Sequence, residues 1–306
     1  MFQQHSVSQH RLYRAAFQNL VANPRVLIAA EEYVASQVQA CLASNLEEIR
    51  RDYDEASFLY PFWRNYPPDE RGNQPRGDQY PWIEVGEHVL SAKLPVLLRA
   101  IGFNVRDCGL PTGADLRYVL TNEGIGRATG GALTSVWLHA DIKSVGPRDD
   151  QDHTVMSHNQ VSGSGEWETA SDGVMNKVMQ ATGIRSSHDF HCALPPLYVL
   201  SDGTIAPVIL MAIKPVYRML GLETNGRLGG QPLGRIDTAV IPNGILLEHS
   251  PGYLHKHPGL LFPGKDDKGK NPKKIRARVS FSVLKQIADW RVRSIELPKS
   301  GNSRKA

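Results

Sequence analysis

The segment LTSVWLHADIKSVG, residues 133–146, joins an apolar run long enough for a buried strand to Asp141 and Lys143, two residues apart near its end. In an extended strand successive side chains point to opposite faces. Val136, Leu138, Ala140 and Ile142 then line one side, and Trp137, His139, Asp141 and Lys143 the other. The first face suits burial, and the second carries charge into a place where charge is costly. A sheet-edge salt bridge is the bland reading of such a pair, so the rest of the chain has to separate structure from chemistry.

A second D-x-K spacing, Asp266-Asp267-Lys268, lies in a polar stretch with no apolar strand to position it. The first has an upstream companion. If DLRYVLT (115–121) and LTSVWLHADIK (133–143) form an antiparallel hairpin, Asp115 and Asp141 fall within about two strand positions, roughly 7 Å apart. Two acids and a lysine would converge there. That grouping suits phosphodiester hydrolysis, in which a divalent ion neutralises phosphate charge, activates water and stabilises the leaving oxygen. Magnesium takes oxygen ligands, typically one or two carboxylates plus substrate phosphate. Lys143 would add a fixed positive charge beside the phosphate and help orient or deprotonate the water.

Two other patterns carry less. Gly124-Ile-Gly126-Arg-Ala-Thr-Gly130 resembles a dinucleotide-binding turn, but that motif needs a helix and a second strand before its acid, about twenty residues on. Only fourteen residues separate Gly126 from Asp141, so the glycines are expected to form a flexible hairpin loop. His188-Asp-Phe-His191-Cys192 lacks a second ligand pair at metal spacing and is expected in a loop.

With 306 residues and 41% hydrophobic content, the chain can bury a large core and is expected to form one elaborated domain. Cys41, Cys108 and Cys192 are odd in number and widely spaced, which points to a reducing compartment and away from structural zinc. The start has no signal-peptide core and no stretch reads as a membrane span, so a soluble cytoplasmic protein is expected. The net charge is only +4, yet GKDDKGKNPKKIRAR (264–278) holds seven Lys or Arg against two Asp. The usual fate of such a run is a solvated loop. Here it flows into alternating IRARVSF, where Arg276, Arg278 and Ser280 would share one face of a strand.

Helical spacing runs from about Ser8 to Arg51, broken at Asn23-Pro24, and a Pro- and Gly-rich crossing covers 60–81. Residues 81–102 return to helical spacing, with Pro95 expected to kink or break the helix near Leu94. Strand-like runs follow in FNVRDCGL, DLRYVLT and LTSVWLHADIKSV, and PPLYVLS and IAPVILMAIKPV flank the hairpin signal Asp202-Gly203. The order predicts an α/β fold, a mixed β-sheet with helices on its faces.

The blocks WIEVGEHVLSAKL, GLPTGADLRYVLT, DIKSVGPRD, NQVSGSGEW, PPLYVLSDGTIAPV, PNG and PGKDDK, in this order and from about Asn45 to Leu297, closely resemble the BglI family of type II restriction endonucleases. The resemblance implies a restriction-endonuclease-like, PD-(D/E)xK core with insertions. It further implies a single domain over 1–306, with N-terminal helices in 1–60, the catalytic core in 80–215 and a DNA-recognition and C-terminal part in 216–300. A homodimer would cut double-stranded DNA with Mg2+ at an interrupted palindrome of the type GCCNNNNNGGC. By position, Asp115 and Asp141 would be metal ligands with the carbonyl of Ile142, and Lys143 the catalytic lysine. Glu87 would be an accessory acid; Glu84 lies one turn away, and either also reads as a solvated helix acid. Ala114 stands where the motif's name has proline, which supplies no ligand.

In the same family the basic segment reads bases, and the matching positions are Lys265, Asp267, Arg276 and Arg278. Arg and Lys donate to guanine O6 and N7, and Asp accepts from the cytosine amino group, so an acid inside a basic run is what reading G·C pairs requires. Lys268, Lys270, Lys273 and Lys274 are left to phosphates or solvent. A symmetric site is most simply read by two copies of one surface. A bacterial host would also need a matching DNA methyltransferase. Two rival readings remain: a DNA-binding protein without cleavage, which has no use for the acids, and a repair or structure-specific nuclease, which ignores base sequence.

Overall fold

The computed structural model describes residues 2–58, 82–108, 114–146, 149–163, 177–182, 187–192, 194–217, 233–263 and 276–296. Three helices open the chain: α1 (Phe2–Ala22), α2 (Pro24–Ser44) and α3 (Leu46–Phe58). The break at Asn23 coincides with Pro24 at the first position of α2, where a missing N–H leaves nothing unpaired. α2 buries Leu27, Ala30, Val34, Val38, Cys41 and Leu42, a stripe at helical spacing. Helix α4 (Trp82–Ala100) is continuous through Pro95, so of the expected kink or break near Leu94 the break does not occur. Proline removes one backbone bond, but Leu90, Leu94, Leu97 and Leu98 are buried on both sides of it and hold the two halves on one core.

Next come β1 (Asn104–Asp107), β2 (Leu116–Thr121), α5 (Glu123–Ala128), β3 (Ser135–Ile142), β4 (His153–Met156), β5 (Lys177–Thr182), β6 (Ser187–Cys192), β7 (Leu197–Val199) and β8 (Ile205–Tyr217). The chain continues as β9 (Leu233–Ile241), α6 (Gly244–Glu248), α7 (Tyr253–Lys256), β10 (Leu261–Pro263), β11 (Ala277–Ser280), α8 (Phe281–Ile287), a 3-10 turn at Asp289–Arg291 and β12 (Val292–Glu296). The central sheet runs β1-β2-β3-β8-β9-β12, with β7 also paired to β8. β3 and β8 are parallel and the other pairs antiparallel, so the sheet is mixed, as the sequence predicts. The long helices pack on one face through a core that includes Val136, Leu138, Ala140 and Ile142 of β3. The opposite face, with Trp137, Val208, Leu210 and Ala212, packs on β4, β6, β10, β11 and α8. β4, β10 and β11 form a small sheet of their own in the order β10-β11-β4.

All eight residues of β3 are buried, so its charged face is not a solvent face. A central strand with a parallel neighbour is covered on both sides, and only the strand's end escapes. The expected hairpin loop at 122–131 is instead the short helix α5 followed by a turn. Asn122 caps it, Oδ1 accepting from Ile125 N at 3.0 Å, and donates through Nδ2 to the Tyr33 hydroxyl at 2.9 Å. A Cβ on Gly124 would stand 1.9 Å from that hydroxyl, so the glycine serves close packing on α2. Gly130 and Gly131, at φ 62° and 83°, then turn the chain back. The segment at 188–192 lies in β6 paired with β5, not in a loop; Phe190 and Cys192, two apart, are buried as strand period requires. The side chains of His188 and His191 lie outside the described residues.

A wholly buried ion pair ties the N-terminal helices to the far end of the chain. Arg291 Nη2 lies 2.8 Å from Glu31 Oε2, and Glu31 Oε1 accepts from Asn243 N at 2.8 Å. Removing one member of such a pair costs about 3–5 kcal/mol, because the other charge is left buried and unpaired. No described helix is long and apolar enough to cross a membrane, and the three cysteines are free.

Candidate active site

The β2–β3 register pairs Leu116 with Ala140; extended by one residue, it sets Asp115 opposite Asp141. Asp115 Oδ2 accepts from Ile142 N at 2.6 Å, which locks the acid against the end of β3. Asp141 is almost fully buried. Its Oδ2 lies 2.6 Å from Lys143 Nζ, and its Oδ1 accepts from Gln160 Nε2 at 2.6 Å. Lys143 is held at the strand's end by its own backbone, N donating to Ile213 O of β8 at 2.8 Å, while its side chain stays partly exposed. The four-residue stretch 115/141–143 thus brings two carboxylates, one ammonium and the Ile142 carbonyl to one edge.

Glu87 arrives from helix α4. The preceding residue, Gly86, is buried, and a Cβ there would lie 2.1 Å from Ser144 Oγ and 2.7 Å from the Tyr217 hydroxyl. Without a side chain the first turns of α4 press onto the strand end and bring Glu87 beside Asp115. Burial raises the Glu87 pKa, and the Asp115 charge and hydrogen bond add to it. The side chain of Glu84 lies outside the described residues. Burial likewise pushes Asp141 up to about 6; Lys143 opposes the rise, and Asp115 and Glu87 reinforce it.

These residues suit a hard cation. Carboxylates crowded at one edge repel one another, a repulsion that a divalent ion removes. Asp141 Oδ2 is buried and, despite its ion pair, receives no well-directed hydrogen bond. Among the described residues no three His, Cys, Asp or Glu side chains are grouped to hold a metal. A third protein oxygen would come from the backbone, where the Ile142 carbonyl directly follows Asp141 in the chain.

The basic strand lies nearby in the second layer. β11 pairs antiparallel with β4, Arg278 opposite Val155. Arg278 is half-buried, with Nη1 3.7 Å from Asp150 Oδ2 and its guanidinium 5.9 Å from the Phe262 ring centroid. Arg276 is exposed and precedes the strand by one residue. The expected strand alternation stops at Ser280, whose Oγ accepts from Val283 N at 3.3 Å and starts helix α8 at Phe281. Lys265 and Asp267 lie outside the described residues, as do Lys268, Lys270, Lys273 and Lys274. A cavity of about 380 Å³ is lined by Lys143, Asp150, Lys214, Arg276 and Arg278, among others, and joins the Lys143 end of the acidic edge to the basic strand.

A family model described as restriction endonuclease BglI matches residues 8–295. The chain belongs to the BglI family of type II restriction endonucleases. The type II restriction enzyme BglI of Bacillus subtilis is 44% identical over 302 residues, covering 98% of this endonuclease and 100% of that protein. The crystal structure of the restriction endonuclease BglI bound to its DNA recognition sequence matches with a TM-score of 0.87 at 43% identity, over 98% of this chain and 100% of that one. The tetrameric restriction endonuclease SfiI bound to cognate DNA matches at a TM-score of 0.59, over 90% of this chain and 85% of that one. At 13% identity that second likeness is one of fold alone.

Sequence reasoning passed over three residues that the endonuclease places at or beside this site. Gln160 stands in the quoted block NQVSGSGEW, but a glutamine there has no motif value until its contact with Asp141 is known. Asp150, beside Arg278, carried only the signal of an acid next to DIKSVGPRD. Lys214 interrupts the apolar run IAPVILMAIKPV, which was the signal to ask what a buried ammonium binds.

Proposed function

We propose that this restriction endonuclease is a Mg2+-dependent, site-specific deoxyribonuclease that cuts double-stranded DNA as a homodimer at an interrupted palindrome, GCCNNNNNGGC or a close relative. The observation that carries the reading is the facing of Asp115 and Asp141 across the β2–β3 ladder with Lys143 at 2.6 Å from Asp141. Asp115, Asp141 and the Ile142 carbonyl would hold the ion, which when bound neutralises the phosphate and lowers the pKa of water. Lys143, partly exposed at the mouth of the site, presents a fixed positive charge to the scissile phosphate and orients the attacking water. Glu87, whose affinity for a proton is raised, is placed to exchange one with Asp115 or with solvent.

Recognition falls to the basic strand. Arg276 and Arg278, with Lys265 and Asp267 from the adjoining run, would contact base edges in the major groove, and a two-fold dimer would present this surface to both halves of the site. The relative crystallised with its DNA recognition sequence supports this assignment through its 43% identity over nearly the whole chain. The acid cluster favours cleavage over binding alone, and the paired arginines favour sequence reading over a structure-specific nuclease. Incubating supercoiled plasmid with the protein and Mg2+, then sequencing the ends, tests both points. Discrete fragments ending in one interrupted palindrome are expected, and a chelator should abolish them. Intact plasmid, or cuts scattered without regard to sequence, would overturn the reading.

A further inference from the structure

Lys214 is 1% exposed, yet it is not one of the residues at the catalytic edge. It lies on β8 beside Lys143: the parallel register pairs Ile142 with Ile213, which brings the two lysines level on neighbouring strands. Their ammonium groups go different ways. Lys143 pairs with Asp141, whereas Lys214 Nζ crosses to the second layer and donates to the carbonyls of Asp150, Gln151 and His153 at 2.9, 3.3 and 2.8 Å. An ammonium has three N–H donors and no acceptor, so these three carbonyls use all of it. The same nitrogen lies 5.0 Å from the ring centroid of Phe281, the first residue beyond β11.

The segment that Lys214 clamps is bonded to the basic strand. Asp150 sits 3.7 Å from Arg278, and His153 begins β4, which pairs with β11 along its length. Asp152 accepts from Phe281 N through its carbonyl at 2.7 Å and from Ser282 N through Oδ1 at 3.0 Å. Arg235 of β9 adds a hydrogen bond to the Gln151 side chain. The strand that would read bases is therefore linked, through one buried ammonium and a short loop, to β8, whose neighbour β3 leads directly into Lys143, around the cavity that Arg276 and Arg278 line.

We propose that Lys214 is a positioning residue that fixes Arg278 relative to Lys143, so that the fidelity of cutting, and not only folding, depends on it. This rests on the proposed function, in which Arg278 reads bases and Lys143 acts at the phosphate. A purely structural lysine would, when replaced, reduce the amount of active enzyme equally for every DNA. A positioning lysine would alter the ratio between DNAs.

The test compares wild type with Lys214→Met, which keeps the aliphatic stem and removes the donors. Cleavage rates are measured under single turnover on the mapped site and on sites with one base pair changed, and folding is checked by thermal melting. The Met variant is expected to fold, at a lower melting temperature, and to lose about ten-fold in the ratio of correct to altered sites. A fall of less than about three-fold in a folded variant overturns the proposal. Should Lys214→Met fail to fold, Lys214→Gln, which keeps two donors, takes its place under the same criterion. Wild-type enzyme that makes no site-specific cut would refute the proposed function. Wild type that discriminates, beside a variant that discriminates equally, would refute the positioning role alone.

Discussion

Gln160 donates through Nε2 to Asp141 Oδ1 at 2.6 Å, so the buried aspartate is gripped from the side opposite its lysine. Even so, burial outweighs Lys143 and holds the Asp141 pKa up at about 6. An acid whose folded pKa exceeds its unfolded value destabilises the fold wherever it is ionised. Asp141→Asn should therefore abolish plasmid cleavage and, in chelator at pH 7, stabilise the protein by on the order of 1–3 kcal/mol. Melting temperature and a cleavage assay on the same preparation check both halves. A variant that cuts normally, or one that melts lower, contradicts the account.

A second buried group on the same strand face shifts the opposite way. His139, two residues earlier on the same face, has both ring nitrogens buried without a hydrogen-bond partner among the described residues. Burial, helped by Arg117, lowers its pKa to about 4. For His139 the folded pKa lies below the unfolded one, so stability is lost as pH falls from about 6.5 toward 4. For Asp141 it lies above, so stability is gained as pH falls through 6 toward 3.8. Between pH 6 and 4 the two slopes oppose one another in the wild type. In Asp141→Asn only the histidine slope remains, and stability should fall more steeply, by up to about 1.4 kcal/mol per pH unit. Urea midpoints from pH 7 to 4 should show the variant's advantage shrinking to nothing near pH 4. Parallel curves would contradict the assignment of either shift.

Lys143 separates binding from cutting. Its backbone bond to Ile213 survives truncation, so Lys143→Ala should still fold, at a somewhat lower melting temperature because buried Asp141 loses the charge beside it. Cleavage should be lost while gel shifts still distinguish the mapped site from unrelated DNA. Retained cleavage would remove Lys143 from the chemistry.

Arg278→Ala should act on sequence preference. A guanidinium that contacts one base pair bidentately discriminates by about 1–3 kcal/mol, so binding to the correct site should approach binding to a site altered at that pair. Equal weakening on every sequence would mean that Arg278 touches phosphate only. Its ion pair with Asp150, at 3.7 Å and half-exposed, contributes little to stability, so folding is not expected to confound the measurement.

The convergence of Asp115, Asp141 and Lys143 was legible because its signal is local and two-fold: an apolar strand that ends in D-x-K, and an acid at the start of a strand that can only return beside it. The covering of both faces of β3 was not, since Trp137 and His139 become interior only once β4, β6 and β11 fold over them. Lys214 illustrates the same limit. Its place in an apolar run signals burial but not its partners, three carbonyls more than sixty residues away in sequence.

Gly124 shows how a composition signal misleads and what it predicts instead. Glycines at 124, 126, 130 and 131 suggested a flexible loop, yet only the last two adopt positive φ, and the first lies inside α5. Its role is steric: a Cβ would meet the Tyr33 hydroxyl oxygen and the ring carbon that bears it at 1.9 and 2.3 Å, so this partly buried ring would have to move. Alanine normally favours a helix over glycine by about 0.5–1 kcal/mol, so propensity alone predicts that Gly124→Ala stabilises. Overpacking costs about 1–3 kcal/mol and should win, displacing Tyr33 from Asn122 and loosening the β2–β3 connection that sets Asp115 against Asp141. Chemical denaturation should show a net loss, and Tyr33→Phe, which frees the space at the hydroxyl, should recover part of it in the double variant. A stabilised Gly124→Ala protein would mean that the glycine is there for the backbone after all.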